Sequence, residues 1–318
     1  MQPNGWVMQS NGWMMQPNGW VIQPNGWVMQ LNECVMEANG WVTQPNGWIT
    51  EVKGLQHKFK YILSTCNGLY NMKKLRIFIL LSLATLLVLS FKSADKVNVW
   101  MIGDSTMANK QLDKAPETGW GMVMNEFVKA NVTVHNHAFN GRSSKSFLVE
   151  GRWTAIYDSI QPGDYVIIQF GHNDEKPAEK LHTDPSTTYK QLLKKYIDES
   201  RAKVANPIIC SSIVRRHFDG KGNLKDTHGA YITAAREIAL ETNTPYVDME
   251  AKTRTLVASL GSEKSKSLYL FCKPGEYSNR KDGVQDSTHL NRNGALQVAG
   301  LFVKEVKKQK IALVGCLK

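Results

Sequence analysis

The chain has 318 residues, 42% of them hydrophobic and 21% charged, with a formal net charge of +11. That balance excludes a disordered chain and belongs to a globular one. A surface this basic suits a polyanion, but no zinc-finger, RNP or basic-helix pattern occurs, so nucleic acid is not expected and an acidic polysaccharide is the better partner.

Two segments stand apart from the average. Residues 4–52 form seven heptads built on Asn-Gly-Trp-Val and hold six of the nine tryptophans. A coiled coil shares that period, but Asn-Gly in almost every unit opposes helix. Two readings remain: an array of turns carrying a carbohydrate-facing tryptophan ladder, or a translated tandem repeat with no selected fold. After the heptads, Met72-Lys-Lys-Leu-Arg76 is a basic stretch and residues 77–91 are an apolar run of 15, the pattern of a secretory signal. The run falls short of the roughly 20 residues that span a bilayer. Because such a signal opens a protein, we expect translation to start at Met72, with residues 1–71 outside the native protein. Residues 72–90 would then be removed after Ser90, leaving 91–318 as one domain, secreted or periplasmic and without a stable membrane span. Were Met1 the start, the run would serve as an uncleaved anchor with the heptads facing the cytoplasm. The mature chain keeps a charge of +8, because residues 1–71 carry three charges of each sign and the signal removes three cations from +11. It also keeps Cys210, Cys272 and Cys316, an odd number without metal or redox spacing; Cys210 reads as a buried strand residue.

Within the mature chain, strands and helices alternate. An apolar strand from Val97 stops at Gly103-Asp104 and delivers Ser105 to a turn. The pattern then predicts a helix over 119–130, a strand over 132–138, a polar turn over 139–144, a helix over 147–160 and a strand over 164–170. Tyr189, Leu192, Leu193, Tyr196 and Ile197 form the stripe of an amphipathic helix. Next come a strand over 207–214, a helix over 227–242, a short strand over 245–248 and a helix over 249–260. Regular structure is then expected to stop for a long polar loop over 261–293, before a final helix over 293–310. The alternation implies βαβ units and a parallel sheet covered on both faces, an α/β/α three-layer sandwich.

Three polar turns coincide with three strand ends: Ser105, Gly141 and Asn173. In an open α/β sheet, ligands bind beyond the carboxyl ends of the strands, so these residues share the expected site. Asp286-Ser-Thr-His289 supplies an acid and a base whose side chains can meet locally, leaving Nε2 of His289 to face Ser105. Taken singly, Ser105 reads first as a helix N-cap, and Asn173 has the alternative of a turn brace. His172 and Asp174 read as loop-holding residues. His172-Asn-Asp174 also matches a metallophosphoesterase ligand run, but the partner motifs of that class are missing, so neither metal nor cofactor is expected. His135, His137, His182, His217 and His228 show no ligand spacing and read as strand or surface residues. Arg142, Lys145, Arg152, Arg215 and Arg216 are candidates to grip a uronate carboxylate, against the alternative of a solvated basic face.

The blocks GDSTM (103–107), Gly141 within NHAFNGRSS, FGHND (170–174) and DSTH (286–289) resemble, in order, those of the SGNH (GDSL) hydrolases. GDST, EGRW (150–153) and KPGEY (273–277) are similar to the rhamnogalacturonan acetylesterase branch. The resemblance covers nearly all of 97–310. It implies a flavodoxin-like α/β/α fold and removal of O-acetyl groups from pectic rhamnogalacturonan. It also implies Ser105 as nucleophile, His289 and Asp286 as the rest of a triad, and Ser105 N–H, Gly141 N–H and the Asn173 amide as oxyanion donors. The alternatives are a lipid esterase or thioesterase of the same superfamily, an esterase on another acetylated glycan, and a non-catalytic carbohydrate-binding protein using the heptads. A lipid site would need apolar lining in 261–293, where Glu276, Asn279, Arg280 and Lys281 stand instead. The heptads, Cys272 and the tail 311–318 gain no explanation from the resemblance.

Overall fold

The computed structural model describes residues 96–318 and, within 7–51, seven short strands. The chain divides into two units, Met1–Lys92 and Ser93–Lys318. In the first, Val7–Gln9, Trp13–Met15 and Val21–Ile22 pair antiparallel, as do Met29–Leu31, Cys34–Met36, Trp41–Thr43 and Ile49–Glu51. The heptads therefore carry paired strands at their apolar positions. The expected signal over 72–90 and its cleavage site lie outside the described residues.

The second unit is organised on five parallel strands: β1 (Val97–Gly103), β2 (Val132–Asn136), β3 (Tyr165–Gln169), β4 (Asn206–Cys210) and β5 (Tyr246–Val247). Their order across the sheet is β5-β4-β3-β1-β2, the flavodoxin-like winding. Side chains alternate along each strand, so one sequence feeds two cores. Val99 and Met101 join Trp120, Phe302 and Val306 on one face. Trp100 and Ile102 join Phe147, Trp153 and Tyr196 on the other. Four helices cover the second face: α1 (Ser144–Val149), α2 (Thr154–Tyr157), α3 (Thr188–Ala202) and α4 (Ala230–Glu241); α5 (Met249–Lys264) and α6 (Arg292–Gln309) cover the first. Each large apolar side chain buried this way contributes about 1.5–3 kcal/mol.

The register fixes where the site must form. Gly103 pairs with Gln169, and Met101 with Asn136, so β1, β2 and β3 end at the same edge. The winding reverses between β1 and β3, and the crevice at such a reversal is where α/β sheets receive ligands. The approach is close: a Cβ on Gly103 would stand 2.6 Å from the Gln169 carbonyl oxygen.

Four expectations need correction. The segment expected as a helix over 119–130 is a 3₁₀ helix, Trp120–Glu126. The helix expected over 147–160 is two short ones, α1 and α2, because the chain turns at Gly151 with φ of +71°. The long loop expected over 261–293 instead holds a 3₁₀ turn, Ser265–Leu268, and an antiparallel pair, β6 (Tyr269–Cys272) and β7 (Val284–Leu290). Finally, the unexplained tail is part of the core: Ala312–Cys316 is a 3₁₀ helix, and Leu313, Cys316 and Leu317 are buried. Cys210 is buried in β4, and Cys210, Cys272 and Cys316 are all free thiols.

Candidate active site

Ser105 stands just past β1 on a turn shaped by its neighbour Asp104, which is fully buried. Asp104 Oδ1 accepts the Thr106 N–H (2.9 Å) and hydroxyl (2.8 Å), and its carbonyl accepts the N–H groups of Met107 and Ala108. Asp104 Oδ2 lies 3.2 Å from His172 Nδ1, which ties the turn after β1 to the turn after β3. Burial pushes the His172 imidazole down to about 4, against the pull of Asp104, so the ring is neutral near pH 7 and Nδ1–H is the donor.

His289 reaches Ser105 from the hairpin. The pairing of β6 with β7 slips between Tyr269, opposite Leu290, and Leu270, opposite Asp286. Ser287, Thr288 and His289 are the surplus residues of that bulge, and a bulge re-aims the side chains it carries. Here it brings Nδ1 of His289 to 2.7 Å from Asp286 Oδ2 and Nε2 to 2.9 Å from Ser105 Oγ. Asp286 Oδ1 accepts the N–H groups of Thr288 (2.7 Å) and His289 (3.0 Å). Burial opposes its ionisation, but the His289 donors outweigh burial and hold the carboxyl at about 2. Both side chains keep 28–29% of their surface exposed, so the pair is open to a ligand.

Gly141 follows β2 with φ of +73°, a conformation glycine adopts without strain. Two contacts hold its loop against Ser105. The Phe139 N–H donates to the Gly103 carbonyl (2.9 Å), and Lys110 Nζ donates to both the Ser105 carbonyl and Asn140 Oδ1 at 2.6 Å. Among the described residues, the N–H groups of Ser105 and Gly141 donate to no protein acceptor. Asn173 is buried, with Nδ2 donating to the Arg142 carbonyl (3.0 Å) and Oδ1 accepting from Lys176 Nζ (2.7 Å). One Nδ2 hydrogen remains for a further acceptor. Asn173 therefore braces the Gly141 loop and retains a donor.

The structure thus brings Ser105, His289 and Asp286 into one hydrogen-bonded chain and sets Gly141 and Asn173 on adjoining turns. Asp174 is a brace, accepting from the N–H groups of Ser144 and Gly171 and the hydroxyls of Ser144 and Thr183. His228 is not a strand or surface residue. It is buried between Glu175 Oε2 (3.2 Å) and the Ile213 carbonyl (3.1 Å). Arg215 is committed to Glu175 and to the His172 carbonyl, and Arg216 is buried against Ser262, Ser265 and Ser287, so neither is available to grip a uronate. The residue that sequence reasoning missed is Lys110. It belongs to no motif, yet only 2% of its side chain is exposed and it pairs with Glu117 at 2.7 Å.

Hollows open at both ends of the sheet strands among the described residues. One of about 420 Å³ lies at the amino ends of β3 and β4, near Tyr165 and Asn206, at the opposite edge of the sheet from Ser105. Another, about 410 Å³, begins at Gly141 and Arg142. A half-buried serine hydroxyl bonded to an imidazole, which is bonded in turn to an ionised carboxylate, can form and hydrolyse an acyl ester.

The sequence matches the GDSL-like lipase/acylhydrolase family over residues 101–295. It is 39% identical over 217 residues to rhamnogalacturonan acetylesterase RhgT of Bacillus subtilis, covering 68% of this chain and 92% of that protein. It is 33% identical, over 68% of this chain and 95% of the relative, to the probable rhamnogalacturonan acetylesterase YesY of the same organism. Among solved structures it is similar to protein YxiM of Bacillus subtilis, with a TM-score of 0.59 and 27% identity, covering 68% of this chain and 58% of that one.

Proposed function

Because this chain belongs to the GDSL-like lipase/acylhydrolase family and is a carboxylic ester hydrolase, we propose that it removes O-acetyl groups from pectic rhamnogalacturonan, with Ser105 as nucleophile. The observation that carries the reading is the hydrogen-bonded run from Ser105 Oγ through His289 to Asp286. In this reading Ser105 Oγ attacks the acetyl carbonyl carbon while His289 Nε2 takes the hydroxyl proton. Asp286 fixes the Nδ1–H tautomer and stabilises the imidazolium that forms. The negative charge that develops on the carbonyl oxygen is met by the N–H groups of Ser105 and Gly141 and the remaining Asn173 amide hydrogen. His289 then returns the proton to the departing sugar hydroxyl. Water, deprotonated by the same imidazole, releases acetate from Ser105.

The polar character of the residues between β6 and β7 favours a glycan over a lipid. Asn279 and Arg280 donate to backbone carbonyls of 113–115 rather than leaving an apolar mouth. In keeping with a polysaccharide substrate outside the cell, residues 72–90 would act as an export signal, with 1–71 upstream of the native protein; sequencing the mature amino terminus tests that part. The activity is tested by acetate release from acetylated rhamnogalacturonan and acetylated xylan. Faster release from rhamnogalacturonan, abolished by Ser105→Ala, is expected; equal rates, or activity surviving in Ser105→Ala, would overturn the reading.

A further inference from the structure

The 410 Å³ groove that starts at Gly141 runs between α1 and the 176–181 segment, and cations dominate its walls: Arg142, Lys145, Lys176 and Lys180 against one carboxylate, Glu150. That carboxylate is already shared by two guanidiniums, Arg142 Nε (2.9 Å) and Arg152 Nε (2.7 Å). The lysines are held by neutral oxygens. Lys145 Nζ donates to the Glu179 carbonyl (2.7 Å) and Lys176 Nζ to Asn173 Oδ1 (2.7 Å). Lys180 makes no ion pair among the described residues. On α3, by contrast, Lys190, Lys194 and Lys195 each meet a carboxylate. Three ammonium groups thus converge without anionic partners on a groove that opens at the candidate reaction centre. An ammonium retains further donors after one neutral contact, and a carboxylate is the acceptor that satisfies donor and charge together. Exposed Val149 and half-buried Leu181 add apolar surface beside them.

We propose that this groove is a substrate subsite in which Lys145, Lys176 and Lys180 bind the carboxylates of uronic acid residues neighbouring the acetylated sugar. The subsite rests on the polysaccharide reading above and gives it residues. Arg215, paired with Glu175, and Arg216, buried against three serines, take no part, and Arg142 holds the loop. The apolar strip at Val149 and Leu181 suits the methyl group of a 6-deoxy sugar alternating with the acids. A groove of this size lies within the range of small-ligand sites.

The test titrates the full chain with unacetylated oligogalacturonate and, as the neutral probe, oligogalactan of equal length, by calorimetry at low and high salt. The comparison is between wild type, Lys145→Gln/Lys180→Gln and Lys304→Gln/Lys308→Gln, the last pair lying on α6 across the sheet and removing the same charge. Wild type is expected to prefer the acidic oligomer, with affinity falling as salt rises. The groove double variant should weaken acidic binding by about 3–20-fold, as expected for two partly exposed ion pairs, and leave neutral binding unaltered. The α6 variant should bind like wild type. Equal weakening in both double variants would mean long-range charge only, and unchanged binding in the groove variant would mean the carboxylates lie elsewhere; either result overturns the subsite. Failure of the acetylesterase reading is seen separately, as no acetate release from acetylated rhamnogalacturonan by wild type.

Discussion

Asn173→Ala separates two jobs that the structure gives to one amide. The Nδ2 group braces the Gly141 loop through the Arg142 carbonyl and keeps one hydrogen for the oxyanion. Loss of a donor that acts only as charge develops costs about 10²–10³ in kcat, roughly 2.7–4 kcal/mol, with KM little changed. Loss of the brace leaves a partly buried carbonyl without its donor, at most about 1–3 kcal/mol of stability. In a domain of this size each kcal/mol shifts Tm by about 2–4 °C, so the melt should fall by at most about 2–12 °C. Asn173→Asp loses the brace and the spare donor together. Its carboxylate still accepts from Lys176, so the fold keeps that contact while the amide donor is gone, and turnover should be as slow as in the alanine variant. Steady-state kinetics on an aryl acetate and a thermal melt on the same preparation read both effects. A kcat within about threefold of wild type, beside a lowered Tm, would show that Asn173 is a brace alone.

Asp286→Asn would present an amide hydrogen to His289 Nδ1 and favour the wrong tautomer, so kcat should fall by up to about 10⁴-fold; a loss under tenfold would remove Asp286 from the relay. The same residue predicts an acid limb of stability. A carboxyl held at about 2 when folded and near 3.8 unfolded stabilises the fold fully above about pH 5, and that contribution disappears as pH falls from about 4 to 2. Melts across that window should show a shallower slope in Asp286→Asn, and an unchanged slope would contradict the assignment. Lys110→Met removes the close partner of Glu117, of which 13% is exposed, leaving it Arg280 at 3.9 Å, and should destabilise by about 1–3 kcal/mol; a melt unchanged from wild type would contradict it. Phe302→Ala, on the face of the sheet covered by α6, should cost about 3–5 kcal/mol while kcat at a temperature where the protein is folded stays within a few fold. A chelator should leave aryl acetate hydrolysis intact, since the relay calls on no metal; abolished turnover would refute that.

The sheet and the reaction centre were legible because they rest on short-range signals. β1 and β3 are mostly apolar runs, with Gly103 closing one and Gly171 standing two residues past the other, and the α3 stripe buries Tyr189, Leu193, Tyr196 and Ile197 as its period predicts. What failed was whatever depends on distant partners. β7 reads Val-Gln-Asp-Ser-Thr-His-Leu, with five polar residues in the middle, because it carries Asp286 and His289 and bulges to bring them toward Ser105; no alternation survives to mark a strand. The break between α1 and α2 comes from one left-handed glycine inside an otherwise helical pattern. Lys110 and His228 were invisible for a related reason. Their partners are Ser105, Asn140 and Glu117 in one case and Glu175 and Ile213 in the other, and nothing in the local sequence announces them.

The serine leaves the first strand of the sheet, and its imidazole arrives 184 residues later, on the last strand before the final helix. Synthesis runs in that same direction. Under the proposed mechanism, a nascent chain can therefore complete all five parallel strands while its serine has no base, and ester hydrolysis waits until the carboxyl-terminal hairpin has emerged. In that mechanism the order of translation withholds hydrolysis until the chain is nearly complete. Chains arrested on the ribosome before residue 284 should lack esterase activity, and chains arrested with the whole hydrolase unit outside the exit tunnel should show it. Equal turnover at both lengths would show that some other group can serve Ser105.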